Sequence, residues 1–253
     1  MMLDMVNLYR QAERYFFKSL SEKHLDLKDG NAYLTGVPTA DLNLVYVESN
    51  PVSIDSLLKE AKHFFDQNNL PFVALIPKDF CAPDFAQILN EQGYVQTGQS
   101  FAMGLSLENF TLGSLDSEIQ EVGHDLNVWI KPLINAFDST PSISAFYVNA
   151  HESALKMGKQ FHHFSLIREG QTISSVTLSL HNNLARVDDL GTIKEFQGQG
   201  FGTKLILHAL SKAKALGASH CFLESADSGF SVYKKLNFQT LFQNNIYSYS
   251  REV

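Results

Sequence analysis

The chain has 253 residues, of which 44% are apolar and 19% charged, so it is expected to fold as one large globular domain or two modest ones and not to be disordered. Its 27 acidic against 20 basic residues leave a net charge of −7 with no basic block, which argues against a nucleic acid or an anionic membrane surface as partner. Cys81 and Cys221 lie far apart in sequence, and a free thiol in a reducing, cytoplasmic setting is the expected state of the second. Residues 1–20 contain Arg10, Glu13 and Arg14, which excludes a signal peptide or a membrane span. They predict an amphipathic helix with Leu3, Val6, Tyr9, Phe16, Phe17 and Leu20 as its apolar members. A hairpin follows around Lys28, Asp29, Gly30 and Asn31, then a strand over 42–47. Ser53 is placed to cap a helix carrying Ile54, Leu57, Leu58, Ala61, Phe64 and Phe65 on one side. A short buried strand is predicted over 72–76, a helix over 82–91 stopped at Gly93, and a strand from Tyr94 to about Leu107.

A polar stretch over 109–117 divides this part, residues 1–112, from a second part, residues 113–253. The second part opens with residues 119–137, partly helical with Trp129 and Pro132 near a bend, and a further helix over 144–157. Residues 162–168 and 172–180 alternate as two antiparallel strands joined at Glu169, Gly170 and Gln171. His181, Asn182 and Asn183 make the next turn, and Leu184, Arg186, Val187 and Leu190 form a third strand. There follows Gln197-Gly198-Gln199-Gly200-Phe201-Gly202-Thr203-Lys204, then apolar residues at 205, 206, 209, 210, 213 and 216 with helical spacing, closed by Gly217. Three glycines between a strand end and a helix start turn several backbone N–H groups into one concavity at the positive end of a helix dipole, which suits a phosphate or diphosphate. Two better-known phosphate loops do not fit. The dinucleotide fingerprint needs a third glycine at 203, which is Thr, and the Walker loop needs a Gly-Lys pair where Gly202 is followed by Thr203.

The remaining pattern, Gln-x-x-Gly-x-Gly at 197–202, resembles the acyl-CoA diphosphate loop of the GNAT acetyltransferase superfamily. A buried strand over 219–224 comes next, and then a helix ending Tyr233-Lys234-Lys235-Leu236-Asn237-Phe238. That ending is similar to the second half of the GNAT signature, Tyr-x-x-Leu-Gly-Phe, with Asn237 replacing the Gly of a left-handed helix stop. The resemblance implies a mixed α/β fold and an acetyl-CoA-dependent transfer to the primary amine of a small molecule, amino acid or peptide, by direct attack without an acyl-enzyme. The element order of residues 1–112 matches the same fold a second time, so two tandem GNAT-like domains are expected. Glu48-Ser49-Asn50-Pro51 offers no glycine and the tyrosine position is lost, so the first is read as degenerate and non-catalytic, and 113–253 as the catalytic domain.

Acyl transfer from a thioester to an amine needs a base for the amine, a donor for the oxyanion and a hold on the departing thiolate. By the resemblance, Tyr233 is the general acid. Asp188 and Asp189 are the candidate bases, expected to face opposite sides of their strand because they are adjacent, and Glu224 is a third candidate. For the coenzyme, backbone N–H groups of Gly198, Gln199, Gly200, Phe201, Gly202 and Thr203 would cradle the diphosphate, with Gln197 closing the loop. Leu190, Gly191, Thr192 and Ile193 would pair with the pantetheine amides like an added strand. The family's usual Asn seven residues before the tyrosine is Ala226 here, so Ser225, Asp227 or Ser228 would take its place. None of the nine histidines shows a metal-ligand spacing. The competing function is an inactive acyl-CoA-binding sensor or regulatory protein. An RNA-using aminoacyl ligase on a doubled fold is disfavoured by the acidic charge. A homodimer is compatible with the sequence.

Overall fold

The computed structural model describes residues 2–81, 85–111 and 116–249, with side chains from Asp4 onward, so the side chain of Leu3, the start of the helix expected from 82 and the boundary at 112 and 113 lie outside the described residues. Helix α1, Met2–Leu20, buries Tyr9, Ala12, Phe16, Phe17 and Leu20, which recur at helical spacing on one side. Strands β1 (Lys23–Leu27), β2 (Gly30–Leu34) and β3 (Asn43–Val47) form an antiparallel meander. A side chain at Gly30 would stand 2.1 Å from the Tyr46 carbonyl oxygen, so β2 and β3 come this close only because that position is glycine. Helix α2 (Ile54–Asp66) starts at Ser53, whose hydroxyl accepts from the Ser56 N–H at 3.2 Å. It leads to β4 (Val73–Pro77), helix α3 (Phe85–Glu91) and the long strand β5 (Tyr94–Ser106).

The second part repeats this order. A short strand β6 (Ile119–Glu121) and helices α4 (Leu126–Ala136) and α5 (Pro141–Lys156) come first. Then β7 (Phe161–Arg168), β8 (Gln171–His181) and β9 (Leu184–Thr192) make a second meander. Its turns carry positive φ at Glu169 and Gly170 and at Asn182 and Asn183, as tight hairpins of this twist require. Helix α6 (Phe201–Ala215), β10 (His220–Ala226), α7 (Asp227–Lys235) and β11 (Gln239–Tyr249) complete it. Asn237, at φ +66°, ends α7 in the left-handed conformation expected of it.

The eleven strands of the described residues join one sheet in the order β1-β2-β3-β4-β11-β5-β10-β9-β8-β7-β6. Two neighbours are parallel, β3 with β4 and β9 with β10, and α2 and α6 make those two crossovers. Each parallel pair is in register for three residues only and then diverges. The two central strands are exchanged. β5, from the first part, lies against β10 of the second, and β11, from the second, lies against β4 of the first. β5 and β11 pair with each other along most of their length, with two bulges.

Side-chain alternation sorts the two faces. Val45 and Val47 of β3 join the cluster beneath α2, while Leu44 and Tyr46 meet Phe16 and Phe17 of α1. Likewise Ala185 and Val187 of β9 pack with Leu205, Ile206 and Ala209 of α6. The opposite face is covered by α1, α4 and α5, where Trp129, Tyr147 and Phe161 form one cluster with Phe16. The site lies where β9 parts from β10.

Candidate active site

The glycine segment is an open turn at the start of α6. Gly198 has φ +75° and Gly200, the residue capping α6, has φ +84°. A Cβ at either would meet nothing within 4 Å, so backbone conformation, and not crowding, selects glycine, and the space above the turn is free. Gln197 Nε2 donates to the Thr192 carbonyl at 3.0 Å and Gln199 Nε2 to that of Glu195 at 3.3 Å, pinning the turn to the end of β9. The Lys204 N–H bonds the Gly200 carbonyl, so the N–H groups of Phe201, Gly202 and Thr203 have no intrahelical acceptor. No side chain caps Gly200. An anion fits these orphan donors and the positive end of the helix dipole.

Register between β9 and β10 ends at Arg186 and Phe222, and the strands then open into a cleft. Leu190, Gly191, Thr192 and Ile193 run along one lip. Their other edge is tied to β8, with Gly191 and Thr192 opposite Ser175 and Ser174 and the Ile193 N–H bonded to the Ile173 carbonyl. Gly191 also lets α4 approach, because a Cβ there would stand 2.7 Å from Leu133 Cδ2. Tyr233 of α7 is buried and packs edge-on to Phe238 with ring centres 5.9 Å apart. Burial raises its phenol pKa, with Asp188 and then Cys221 adding to the effect, so it stays protonated at neutral pH. The serines expected to replace the family's Asn are less engaged. The Ser225 hydroxyl is turned onto the Ala226 carbonyl at 2.8 Å, Ser228 is exposed at the start of α7, and Asp227 accepts twice from Gln99 Nε2 at 2.9 Å.

The two adjacent carboxylates do not face opposite sides of the sheet. A β-bulge interrupts the pairing of β8 and β9 between Ser175 and Thr177, and Asp189 takes φ +56° within it. The extra residue restores Asp189 to the face Asp188 already occupies, beneath α1 and α5. Asp188 is committed to Arg186, whose Nε lies 3.1 and 2.9 Å from its two oxygens and whose Nη2 lies 2.9 Å from Oδ1. Arg186 itself is buried among the rings of Tyr9, Phe16 and Phe17. Asp189 accepts a hydrogen bond from the Tyr147 hydroxyl at 2.8 Å and has no cation of its own. Burial pushes its carboxyl up to about 7, Asp188 adding to the rise and the bonds from Tyr147 and Thr177 opposing it. That is the range a general base needs at neutral pH.

Behind Asp189 stand two buried histidines. His151 Nε2 is 3.7 Å from Asp189 Oδ2, and His151 Nδ1 is 2.9 Å from His163 Nε2. Burial holds both rings neutral, His151 well below the ordinary histidine value and His163 down to about 3. Trp129 packs against both. The third carboxylate, Glu224, is fully engaged: it accepts from Tyr46 and Ser100 at 2.5 Å, Asn244 at 2.7 Å and Tyr9 at 3.3 Å. Among the described residues no group of three His, Cys, Asp or Glu is placed to hold a metal.

Asp189 also lines a cavity of about 470 Å³ between α4, α5 and the segment before β3, with Asp41, Leu42, Ile130, Leu133 and Phe137 among its walls. Asp188 and Asp189 thus share one face of β9, whose end at 190–193 leads into the glycine turn, while Tyr233 packs with Val187, Leu205 and Phe238 on the α6 face. Tyr147, His151 and Arg186 belong to no motif that marks them in the sequence as site residues. The spacing of Tyr147 and His151 by four on a helix was the available signal.

Residues 133–238 match the family described as Acetyltransferase (GNAT), a span that runs from α4 to the end of the α7 stop. A GCN5-related N-acetyltransferase from Kribbella flavida is similar over 96% of both chains, with a TM-score of 0.66 and 12% identity. Another from Sphaerobacter thermophilus covers 89% of this chain and 78% of its own, at a TM-score of 0.65 and 11% identity. A tandem GNAT protein from the clavulanic acid biosynthesis pathway covers 88% and 80%, at 0.58 and 13%. At such identities the likeness is one of fold. No curated protein matches the chain in sequence.

Proposed function

We propose that the chain is an acetyl-CoA-dependent N-acetyltransferase acting by direct transfer to a primary amine, a reading supported by the match of residues 133–238 to the GNAT acetyltransferase family. Acetyl-CoA would supply the activated acyl group as a thioester. The residues present fit it: the turn over Gly198 and Gly200 is open, carries unpartnered N–H groups and begins α6. Gly198 through Thr203 would hold the diphosphate, Gln197 keeps the turn closed on Thr192, and the free lip at 190–193 would align the pantetheine arm.

Asp189 would take the proton from the amine nitrogen, because of the three carboxylates on the cavity wall Asp41 and Asp138 are exposed, whereas Asp189 is sheltered and held by the Tyr147 hydroxyl. Asp188 would stay with Arg186 and so help hold the Asp189 carboxyl near neutrality. The Tyr233 hydroxyl would give its proton to the departing sulfur, and burial keeps it protonated for that purpose. We read residues 1–112 as a non-catalytic half. Its connection from β3 to α2 has no glycine, and Glu48 there is held by Arg14 and Asn31, so it offers an anion no cradle. Its contribution would be Thr39, Asp41 and Leu42 on the cavity wall. A cytoplasmic location accords with the free Cys81 and Cys221, and no described helix is long and apolar enough to cross a membrane.

The observation that carries this proposal is that β9 bears the Asp189 carboxyl, pushed up to about 7 on a cavity wall, and runs on towards the open glycine turn. Titrating the purified chain with CoA and then assaying thiol release from acetyl-CoA over an amine panel tests it. Micromolar binding with amine-dependent release is expected. Binding without release would leave the acyl-CoA sensor as the function.

A further inference from the structure

We propose that the acceptor is a primary monoamine with an apolar body and no carboxylate, and that Asp41 selects it; this rests on the acyltransferase function above. The charge around the cavity carries the inference. Its lining includes three acids, Asp41, Asp138 and Asp189, and no lysine, arginine or histidine. Asp138 is neutralised from outside the cavity by Lys194. Asp189 at the inner end has a neutral phenol and a neutral imidazole beside it. Asp41, just before β3, is exposed and has no ion pair among the described residues. The remaining wall is largely apolar: Leu42, Ile130, Leu133, Phe137 and Ile143. The Ser139 and Ser144 hydroxyls on it already bond each other at 3.1 Å.

An ammonium group entering this space meets two carboxylates without a cation of their own and is drawn inward. A substrate carboxylate would meet the same acids, with no basic group to receive it, in surroundings where charges interact more strongly than in water. The apolar wall favours a hydrocarbon or aromatic body, whose surface leaves water on binding. It offers a second ammonium little beyond Asp41 at the mouth. Asp41 belongs to the first half of the chain, so the half without a glycine turn would set the choice of acceptor.

Matched pairs separate these features. Amine-dependent CoA release is measured with phenethylamine against phenylalanine, tryptamine against tryptophan, and spermidine. The expected result is a kcat/KM at least about tenfold higher for each decarboxylated partner, with spermidine poorer than either. Asp41→Lys should raise KM for phenethylamine about tenfold, leave kcat within about twofold and narrow the gap to phenylalanine. Asp41→Asn should do the same more weakly. Equal or faster turnover of the carboxylated partners, preference for spermidine, or no KM response in a folded Asp41→Lys would overturn the proposal and leave acyl transfer standing. Turnover of no amine despite CoA binding would overturn both.

Discussion

Asp189 shows how much a single main-chain irregularity can decide. Without the bulge it would point to the α6 face, away from Tyr147 and from the cavity. With it, the carboxyl is 13% exposed and pushed up to about 7. For a base that must be ionised, kcat/KM should rise with pH through about 7 and level off above it. Asp189→Asn should lower kcat by about 10²- to 10⁴-fold and flatten that rise, as a pH–rate profile would show. Tyr147→Phe removes a bond that favours the ionised form, so the rise should move to higher pH with the fold intact. The sign for stability is the reverse of the usual carboxylate case. Folding raises this pKa, so the native state pays for ionisation above about 7 and not below the ordinary carboxyl range. Asp189→Asn should therefore melt higher than the parent at pH 8, by about 1–3 kcal/mol, and lose that advantage near pH 4. Both aspartates were legible in the sequence as candidate bases. Their shared direction was not, because a bulge is a property of the β8–β9 pairing and leaves no mark in the side-chain pattern.

Among the elements, the turn into α6 was the most legible. Strand, glycines and an apolar helical stripe are all local signals, and the helix begins at Phe201 directly after them. Its glycines are not equivalent. Gly200 sits at φ +84°, where a side chain is strained, so Gly200→Ala should cost about 1–2 kcal/mol and weaken CoA binding. Gly202 is helical, and a Cβ there would rest 3.6 Å from Leu190 and Thr192, ordinary contact. Gly202→Ala should keep the melting temperature within about 2 °C, and calorimetric CoA titration of the two variants would separate shape from strain. Residues 119–137 read as partly helical and resolve into a three-residue strand and α4, since Ile119 to Glu121 is too short to show a period. Strand β11 is not legible in the sequence. Two bulges and the polar run Gln243, Asn244, Asn245 break its alternation, although Leu241, Tyr247 and Asn244 are buried.

At the scale of the molecule, the repeated order of strands and helices was visible, but the exchange of β5 and β11 was not. Either strand could have closed its own half, and the choice is made by tertiary pairing. Residues 1–112 alone would lack β11 and residues 113–253 alone would lack β5, so each is expected to aggregate or stay unfolded when expressed separately, as circular dichroism would reveal. The whole chain should melt in one transition by calorimetry and fluorescence alike. The joint is tightly packed at Gly104, where a Cβ would stand 2.9 Å from the Phe222 ring and 3.0 Å from Met5. Gly104→Val should lower stability by about 1–3 kcal/mol.

The exchange also sets a timetable. Of the described strands β11 comes after all the others in the chain, yet it fills the middle of the sheet, between β4 and β5. Until it emerges, the nascent first half must hold two bare hydrogen-bonding rims apart in the crowded cell, and a stalled translation product would present both to its neighbours.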